Sequence, residues 1–416
     1  MWTADFIRYF IARAVSVFGD TMLTVAAALA IGQIYGATGV GVVLAAWMLP
    51  FLGFILFGGV FSDRIGARPL MLGADLVRLI AQAVVAIAFF TGTPSMVLLV
   101  ACSAVSGAAA AMFQPGVNGI VPLVSDDPHR ANAVIRMANA MAELLGPVTA
   151  GLVFAFFGAG PVYALDAATF AISALCLAGL RLNKAAGQKA AGQKAAGQKA
   201  ATGQNTATGR TTLSDLREGW HEFRARQWIW SVILVWVAYG IFLFGPLIPL
   251  GAVLVGNEMG ASAYGWMQSA VGAGTVCGGV LALRLKPQRP LAAGAVAMFG
   301  FVLLPLAIAT HAELPLLMAA AWVNGLVWAF WSIMWQTSVQ TRVPPEMLNR
   351  MTSYEVLGST GSLPIGQALA GPVAGVAGAE RVLGTSVVVG LLGCTALLLI
   401  PAVRNLRRAE PVTLPR

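Results

Sequence analysis

Charged and hydrogen-bonding side chains set inside long apolar runs are where this sequence can do chemistry. In the first run Arg13, Asp20 and Thr24 are seven and four residues apart, so at about 100° per residue they share one helix face. A second stripe holds Asn132, Arg136, Asn139, Glu143 and Pro147, and a third holds Asn324, Trp328, Trp331 and Trp335. An ionisable group near the centre of a bilayer costs roughly 2.5 to 3.5 kcal/mol even on insertion scales, so it marks a binding or ion-moving site by default. Asp20, near the middle of its helix, and Glu143, about 18 Å into a helix starting at Ala131, lie at a depth where a carboxyl can exchange a proton. Asp20 shares its face with Arg13, either as an alternating partner or as a static ion pair that holds helices together. Thr24, Asn139 and Asn324 offer hydrogen bonds to an organic substrate, and Trp328 and Trp331 offer aromatic faces. Trp335, closer to the inner interface, reads as part of an aromatic belt. Asp75 and Arg78, three residues apart, are expected to pair with each other, and Asp166 lies near the outer end of its helix. Glu355 with Ser359, Ser362 and Gly366 forms either a gate or a packing seam.

The elements that must hold these groups make up most of the chain. Of 416 residues, 58% are hydrophobic and 10% charged, with 47 Gly and 21 Pro and a mean hydropathy of +0.78. A spanning helix needs about 20 apolar residues. Such runs occupy 10–34, 41–61, 69–90, 96–113, 138–157 and 162–180, and then 229–250, 264–283, 291–309, 314–335, 357–376 and 382–401. The expected fold is all-α and integral to the membrane, with twelve transmembrane helices in two pseudo-symmetric six-helix bundles. Residues 1–181 and 228–403 are the bundles, 182–227 a central loop and 404–416 a tail. Too little chain remains for a soluble catalytic domain, a large extracellular domain or a disulfide scaffold.

The net charge of +9 is explained by position. With the N-terminus inside, the inner loops carry Arg64, Arg68, Arg130, Arg136, the run from Arg181 to Arg226, Arg284, Lys286, Arg289, Arg342, Arg350 and the tail arginines. The outer loops, near Gly36, Gly92, Gly158, Gly256, His311 and Gly378, hold only Arg381. That asymmetry places both termini in the cytoplasm and assigns the positive charge to topology and anionic lipid, not nucleic acid. The four cysteines lie in apolar runs without a CxxC, and the three histidines are scattered, so neither a disulfide nor a metal site is expected. No cofactor is expected. The first run lacks a cleavage signature and reads as a retained helix. Within the central loop, Ala185 to Lys199 is a threefold Ala-Ala-Gly-Gln-Lys repeat whose glycines disfavour helix, giving a basic tether.

The halves repeat. Gly58-Gly59-Val60 and Arg64 match Gly278-Gly279-Val280 and Arg284 at a shift of 220, and Pro128, Asn132 and Pro147 match Pro345, Asn349 and Pro364 at 217. Duplicated halves are a common plan of secondary transporters. After the second run, Gly59-Val-Phe-Ser-Asp63-Arg64-Ile-Gly66-Ala-Arg68 resembles the Gly-x-x-x-Asp-Arg-x-Gly-x-Arg signature of the major facilitator superfamily. The resemblance implies a gating role for Gly59, Asp63, Arg64, Gly66 and Arg68, with Asp63 facing the positive end of an eleventh helix that begins near Arg350. Gly146-Pro147-Val148-Thr149-Ala150-Gly151 resembles the Gly-Pro-x-x-Gly-Gly element of antiporter members, with Ala150 in place of a glycine; Gly146, Pro147 and Gly151 serve equally as packing residues. The fourth-span arginine of many proton-coupled members is absent, its place being Ser103. Arg13-x-x-Ser16-x-x-Gly19-Asp20, Met48-Leu49-Pro50 and Asp215-Leu-Arg217-Glu218-Gly219-Trp220 resemble the macrolide-efflux and enterobactin-exporter branch. The implied activity is proton-coupled efflux of an amphipathic drug, macrolide or siderophore-like metabolite by a monomer in the bacterial inner membrane. Uptake of a small metabolite and a transport-dead sensor or scaffold are the competing readings. No enzyme motif or Walker lysine is present.

Overall fold

The structure, a computed structural model, describes residues 2–125, 127–180, 226–343 and 355–408, without the side chains at 56–60, 62, 63, 118, 119, 122, 128, 129 and 357. The Asp63 side chain, the Ala-Ala-Gly-Gln-Lys repeat, Asp215 to Trp220 and Arg350 therefore lie outside the described residues, and of Gly59 only the helical backbone is described.

Helices form wherever the apolar runs allow, and they end where glycine or proline stops them. They are α1 (Ala4–Ile65), α2 (Ala67–Thr91), α3 (Met96–Val124), α4 (Pro128–Phe157), α5 (Ala159–Ala178), α6 (Gln227–Tyr239) and α7 (Gly245–Met259). Then follow α8 (Ala261–Arg284), α9 (Pro290–Ala297), α10 (Leu303–Ala309), α11 (Leu314–Arg342), α12 (Gly361–Ala377), α13 (Ala379–Leu399) and the single turn α14 (Pro401–Arg404). The long α1 is two spans in one, broken at Gly36, whose φ of 62° and ψ of −167° no helix contains. A side chain there would be strained. Ten helical stretches among the described residues are long and apolar enough to cross a membrane. Taking the two arms of α1 separately and adding the shorter α12 gives the twelve spans expected.

Several helices outrun their apolar segments. The first outer turn of the second half falls at Gly260 (φ 87°) and not near Gly256, because α7 continues to Met259. Likewise α1 begins at Ala4, α3 reaches Val124 and α11 reaches Arg342. Hydropathy marks where lipid ends; the helix itself continues until a cap or a proline ends it. At the end of α3, Ser125 and Asp127 turn the chain, and the Asp127 carboxylate accepts from the Arg130 N–H to cap α4.

Two stretches among the described residues widen into π turns next to proline, and a third, Met298–Val302, tightens into a 3₁₀ turn. Gly240–Phe244 is a π-helical turn between α6 and α7. Pro246 has no N–H for the carbonyl four residues back, and the Ser386 hydroxyl takes that acceptor instead, donating to the Phe242 oxygen at 2.6 Å. The second π turn, Val356–Thr360, likewise ends four residues before Pro364.

The chain divides into two compact units. One comprises the described residues within Met1–Asn205 together with Ile248–Ser269 and Gln367–Pro372. Its core includes Phe6, Tyr9, Met71, Phe113, Ile120 and Leu177. The other comprises the described residues within Thr206–Leu247, Ala270–Gly366 and Val373–Arg416, around Ile229, Tyr239, Leu243, Phe301, Trp331 and Leu397. In each, helices cross at bare glycine backbone. A side chain on Gly107 would overlap the Trp47 carbonyl in the first unit, and one on Gly325 the Val271 carbonyl in the second. Gly274 meets the Trp322 carbonyl in the same way.

Candidate functional site

In the first unit the polar side chains of α1, α2 and α5 converge. Arg78 on α2 is 4% exposed and its guanidinium spans two helices. Nη2 donates to Asp75 Oδ1 at 2.7 Å and Nη1 reaches Asp20 Oδ2 at 3.3 Å. Its flat cation is stacked on Phe170, 4.1 Å from the ring centre, and also faces Phe113 at 5.0 Å. The far oxygen of Asp75 accepts the Ser173 hydroxyl at 2.5 Å. Asp166 and Thr169, one turn apart on α5, abut the bare backbone of Gly19, where any side chain would overlap both. Gly19 therefore lets α1 and α5 touch, and this contact sets Asp20 beside Asp166.

These contacts revise two expectations. Asp75 and Arg78 do pair, but the partner of Asp20 is Arg78 and not Arg13. Arg13 points its guanidinium at Phe113, 5.8 Å from the ring centre. Sharing a face of one helix did not make a contact, because the space beside Asp20 is filled by α2. Asp166 lies about 10 Å into α5 at 1.5 Å per residue, inside the cluster. Asp20 itself is open, with 44% of its side chain accessible, and Thr24 is exposed with its hydroxyl turned back to the Asp20 carbonyl at 2.9 Å.

Helix α4 carries the second stripe. Asn132, Arg136 and Glu143 are exposed, Asn139 is half-buried, and its side-chain oxygen has no hydrogen-bond partner among the described residues. Met137, Met141, Leu145, Leu152 and Phe156 are exposed too, on the opposite face by about 180° of helical rotation. The apolar face suits lipid and the polar face suits water, so α4 stands between them. Gly146 packs on Thr21, whose hydroxyl donates to the Ala142 carbonyl at 3.1 Å, and Gly151 packs on Gly265 of α8. Gly146, Pro147 and Gly151 thus form close crossings on both sides of α4. Arg68 donates from Nε to the Leu177 carbonyl at 2.9 Å and from Nη2 to the Ala178 carbonyl, closing the negative end of α5. Gly66 (φ 97°) makes the turn before it, and Arg64 is exposed.

In the second unit the third stripe joins aromatic rings from other elements. Trp236 of α6 stacks on Trp331 at 6.1 Å and on Phe244 at 5.7 Å, and meets Trp328 edge-on at 5.5 Å. Phe244 in turn meets Phe301 at 5.1 Å and Trp328 at 5.5 Å. Trp331 is 2% exposed and Trp328 43%, so Trp328 is the accessible ring and Trp331 its backing. Two buried donors here have no partner among the described residues, Trp236 Nε1 and Asn324 Nδ2, the latter one turn from Trp328. Trp335 is not in a lipid-facing belt. It is 5% exposed, lies edge-on to Trp228, and donates its indole N–H to Glu355 Oε1 at 2.6 Å. The helix simply carries the same buried face one turn further than the aromatic pattern suggested. Ser359 and Ser362 return their hydroxyls to carbonyls of their own helix, and Gly366 abuts the Gly240 and Ile241 carbonyls; this face of the eleventh span is a packing seam.

A cavity of about 600 Å³ opens in the first unit among Gln33, Phe89, Phe154, Gly158, Gly260 and neighbouring small residues, with no ionisable group in its wall. None of the polar cluster lines it.

The sequence model of the Major Facilitator Superfamily matches residues 9–363. The chain is 26% identical over 421 residues to the multidrug efflux pump Tap of Mycobacterium tuberculosis (strain ATCC 25618 / H37Rv), covering 96% of this chain and 94% of that one. It is 22% identical over 380 residues to macrolide efflux protein A of Streptococcus pyogenes, covering 88% of each. Among solved structures, a POT family transporter in complex with a thioalcohol-conjugated peptide superposes with a TM-score of 0.69 at 12% identity, covering 96% of each chain. A bacterial homologue of the iron transporter ferroportin gives 0.66 at 12%, covering 95% of this chain and 98% of that one. These likenesses show the fold. With the family model covering most of the chain and twelve spans in two units, this multi-pass membrane protein belongs to the Major Facilitator Superfamily and is a secondary transporter.

Proposed function

We propose that the protein exports an amphipathic, aromatic or macrocyclic organic molecule across a bacterial plasma membrane in exchange for protons, working as a monomer by alternating access. The observation that carries the substrate class is the half-exposed Trp328 ring, walled by Trp236 and Phe244, with the unmatched donors Trp236 Nε1 and Asn324 Nδ2 close by. Aromatic walls bind apolar surface, and unpaired N–H groups favour a ligand that carries carbonyl or ether oxygens. The names of the Tap and macrolide-efflux relatives support export as the direction. The exposed Asp20 beside Arg78 supports a cationic or proton-linked step, and the basic loops support contact with anionic lipid.

The test of direction is uptake of a panel of fluorescent drugs into everted vesicles. Energy-dependent accumulation supports export, loss from the vesicles would mean uptake into cells, and no flux in vesicles or by counterflow in proteoliposomes would leave a sensor or scaffold. Trp328→Ala is expected to weaken drug binding by about 1 to 3 kcal/mol with little change in melting temperature. Trp335→Phe, which removes the donor to Glu355, should instead lower stability by about 1.5 to 3 kcal/mol. Fluorescence titration and thermal unfolding separate the two, and equal effects on binding would remove Trp328 from the site.

Orientation rests on the arginine distribution, with both termini and the Gly59-to-Arg68 motif inside. In a cysteine-free background, Thr93→Cys should react with an impermeant maleimide from outside and Leu285→Cys only after permeabilisation. The reverse pattern would invert the protein and the placement of the motif.

A further inference from the structure

The fully buried charges of this cluster, Asp75 and Asp166 against Arg78, do not balance, and half-open Asp20 and half-buried Arg13 add one of each sign. Asp20, Asp75 and Asp166 bring three carboxyls together against the two guanidiniums of Arg13 and Arg78. Arg78 serves Asp20 and Asp75, and Asp75 has the Ser173 hydroxyl as well. Asp166 has nothing comparable. It is 1% exposed, and among the described residues its Oδ2 has no hydrogen-bond partner. Its Oδ1 has only the Thr169 hydroxyl at 3.5 Å, which lies closer, at 2.7 Å, to the Asp166 main-chain oxygen. An ionised carboxylate held away from water without its own cation is strongly disfavoured, whereas the carboxylic acid is tolerated. The cluster is thus short of one positive charge, and a proton on Asp166 supplies it.

We propose that Asp166 is the proton-carrying residue of the exchange, and that a monocationic substrate docked at Asp20 displaces its proton. This rests on the reading of the protein as a proton-coupled exporter. Asp20 is the accessible member of the cluster, with 44% of its side chain open, and the bare backbone of Gly19 holds it next to Asp166. A cation arriving at Asp20 provides the missing charge. The O–H bond of Asp166 then breaks, the electron pair stays on the carboxylate, and the proton leaves to water, so one charge enters as one departs. The charged groups that act on Asp166 are Asp20 from α1 and Arg78 from α2; Arg13 and Asp75 stand beside those two, and Tyr163 on α5 itself lies between Asp166 and Cys102 of α3. Glu143 on α4 stands on the exposed stripe. Neither Asp20, which has Arg78, nor Glu143, whose side chain is exposed, is a carboxyl shut away without a cation as Asp166 is.

Two measurements on the purified full-length protein test this. Infrared spectroscopy at neutral pH should show a protonated buried carboxyl in the wild type that disappears in Asp166→Asn and persists in Asp20→Asn and Glu143→Gln. Asn is close in shape to the neutral acid, so the variant should fold, and Asp166→Glu should restore the band if packing is the only difficulty. A band unchanged in Asp166→Asn overturns the proposal. The second measurement is binding of tetraphenylphosphonium, a permanent monocation, in two buffers of different ionisation enthalpy. The wild type should release about one proton per cation bound, Asp166→Asn should bind with no release and an affinity independent of pH, and Asp20→Asn should lose binding. Proton release that survives Asp166→Asn overturns the proposal. Absence of drug flux with the infrared band intact would defeat the export reading and leave the proton on Asp166.

Discussion

Arg78→Met is expected to destabilise the protein by about 3 to 5 kcal/mol, the usual consequence of removing one partner from a buried ion pair, and to abolish transport. Asp75 is fully buried and, among the described residues, its one ion pair is with Arg78 at 2.7 Å; without it the carboxylate keeps one hydroxyl donor, Ser173. The rings of Phe113 and Phe170 also lose the cation that fills the space between them. Arg78→Lys keeps the charge but not the fork that reaches Asp20 and Asp75 at once, so it should recover less than half of the loss. Thermal unfolding in detergent reads the effect. Arg78→Met combined with Asp75→Asn should be more stable than Arg78→Met alone, because the unpaired charge is then gone. If the double variant is no better, the damage comes from packing on the rings and not from the stranded carboxylate.

The second large effect is expected at the glycine crossings. Gly107→Val and Gly325→Val each drive a branched side chain into a carbonyl oxygen of the facing helix, Trp47 and Val271 respectively, with backbone on both sides and no flexible atom to yield. Overpacking costs typically 1 to 3 kcal/mol even in a core of adaptable side chains, and here the helices themselves must separate. Both variants should lose the monodisperse peak in size-exclusion chromatography. Gly73→Val, on an exposed face with no atom within 4 Å of the added carbon, should purify like the wild type. A comparable loss at Gly73 would mean that valine is poorly tolerated in these helices generally.

The sequence carried most of the element pattern because lipid imposes a length on every apolar run and glycine marks the turns. Gly36, Gly92, Gly158 and Gly378 sit at turns, as does His311, the one positive-φ residue other than glycine among those described. Helical spacing was enough to pair Asp75 with Arg78, since both lie on one helix. It did not show Arg78 reaching Asp20, or Asp166 meeting Gly19, because periodicity fixes a face without naming the helix that covers it. A signal was present nonetheless: Asp166, Thr169 and Ser173 follow one another at three and four residues, a polar stripe in an apolar helix, and Gly19 next to Asp20 is the kind of gap a neighbouring polar face fills. The aromatic wall was half legible. Trp328 and Trp331 show themselves by spacing, whereas Trp236, Phe244 and Phe301 come from segments bent by Pro246 and by the 3₁₀ turn Met298–Val302, where a regular wheel no longer predicts direction.

Helix α4, apolar on one exposed side and charged on the other, constrains how the protein can move. Rolling α4 about its axis by one residue's worth, about 100°, would carry Arg136 and Glu143 toward hydrocarbon at roughly 2.5 to 3.5 kcal/mol for a charge at the bilayer centre, while drawing Met141 and Phe156 into water. Tilting it as a rigid rod moves neither face across the boundary. Whatever cycle opens the protein to one side and then the other, α4 takes part as a rocking strut, so movement is passed along it by angle and not by spin.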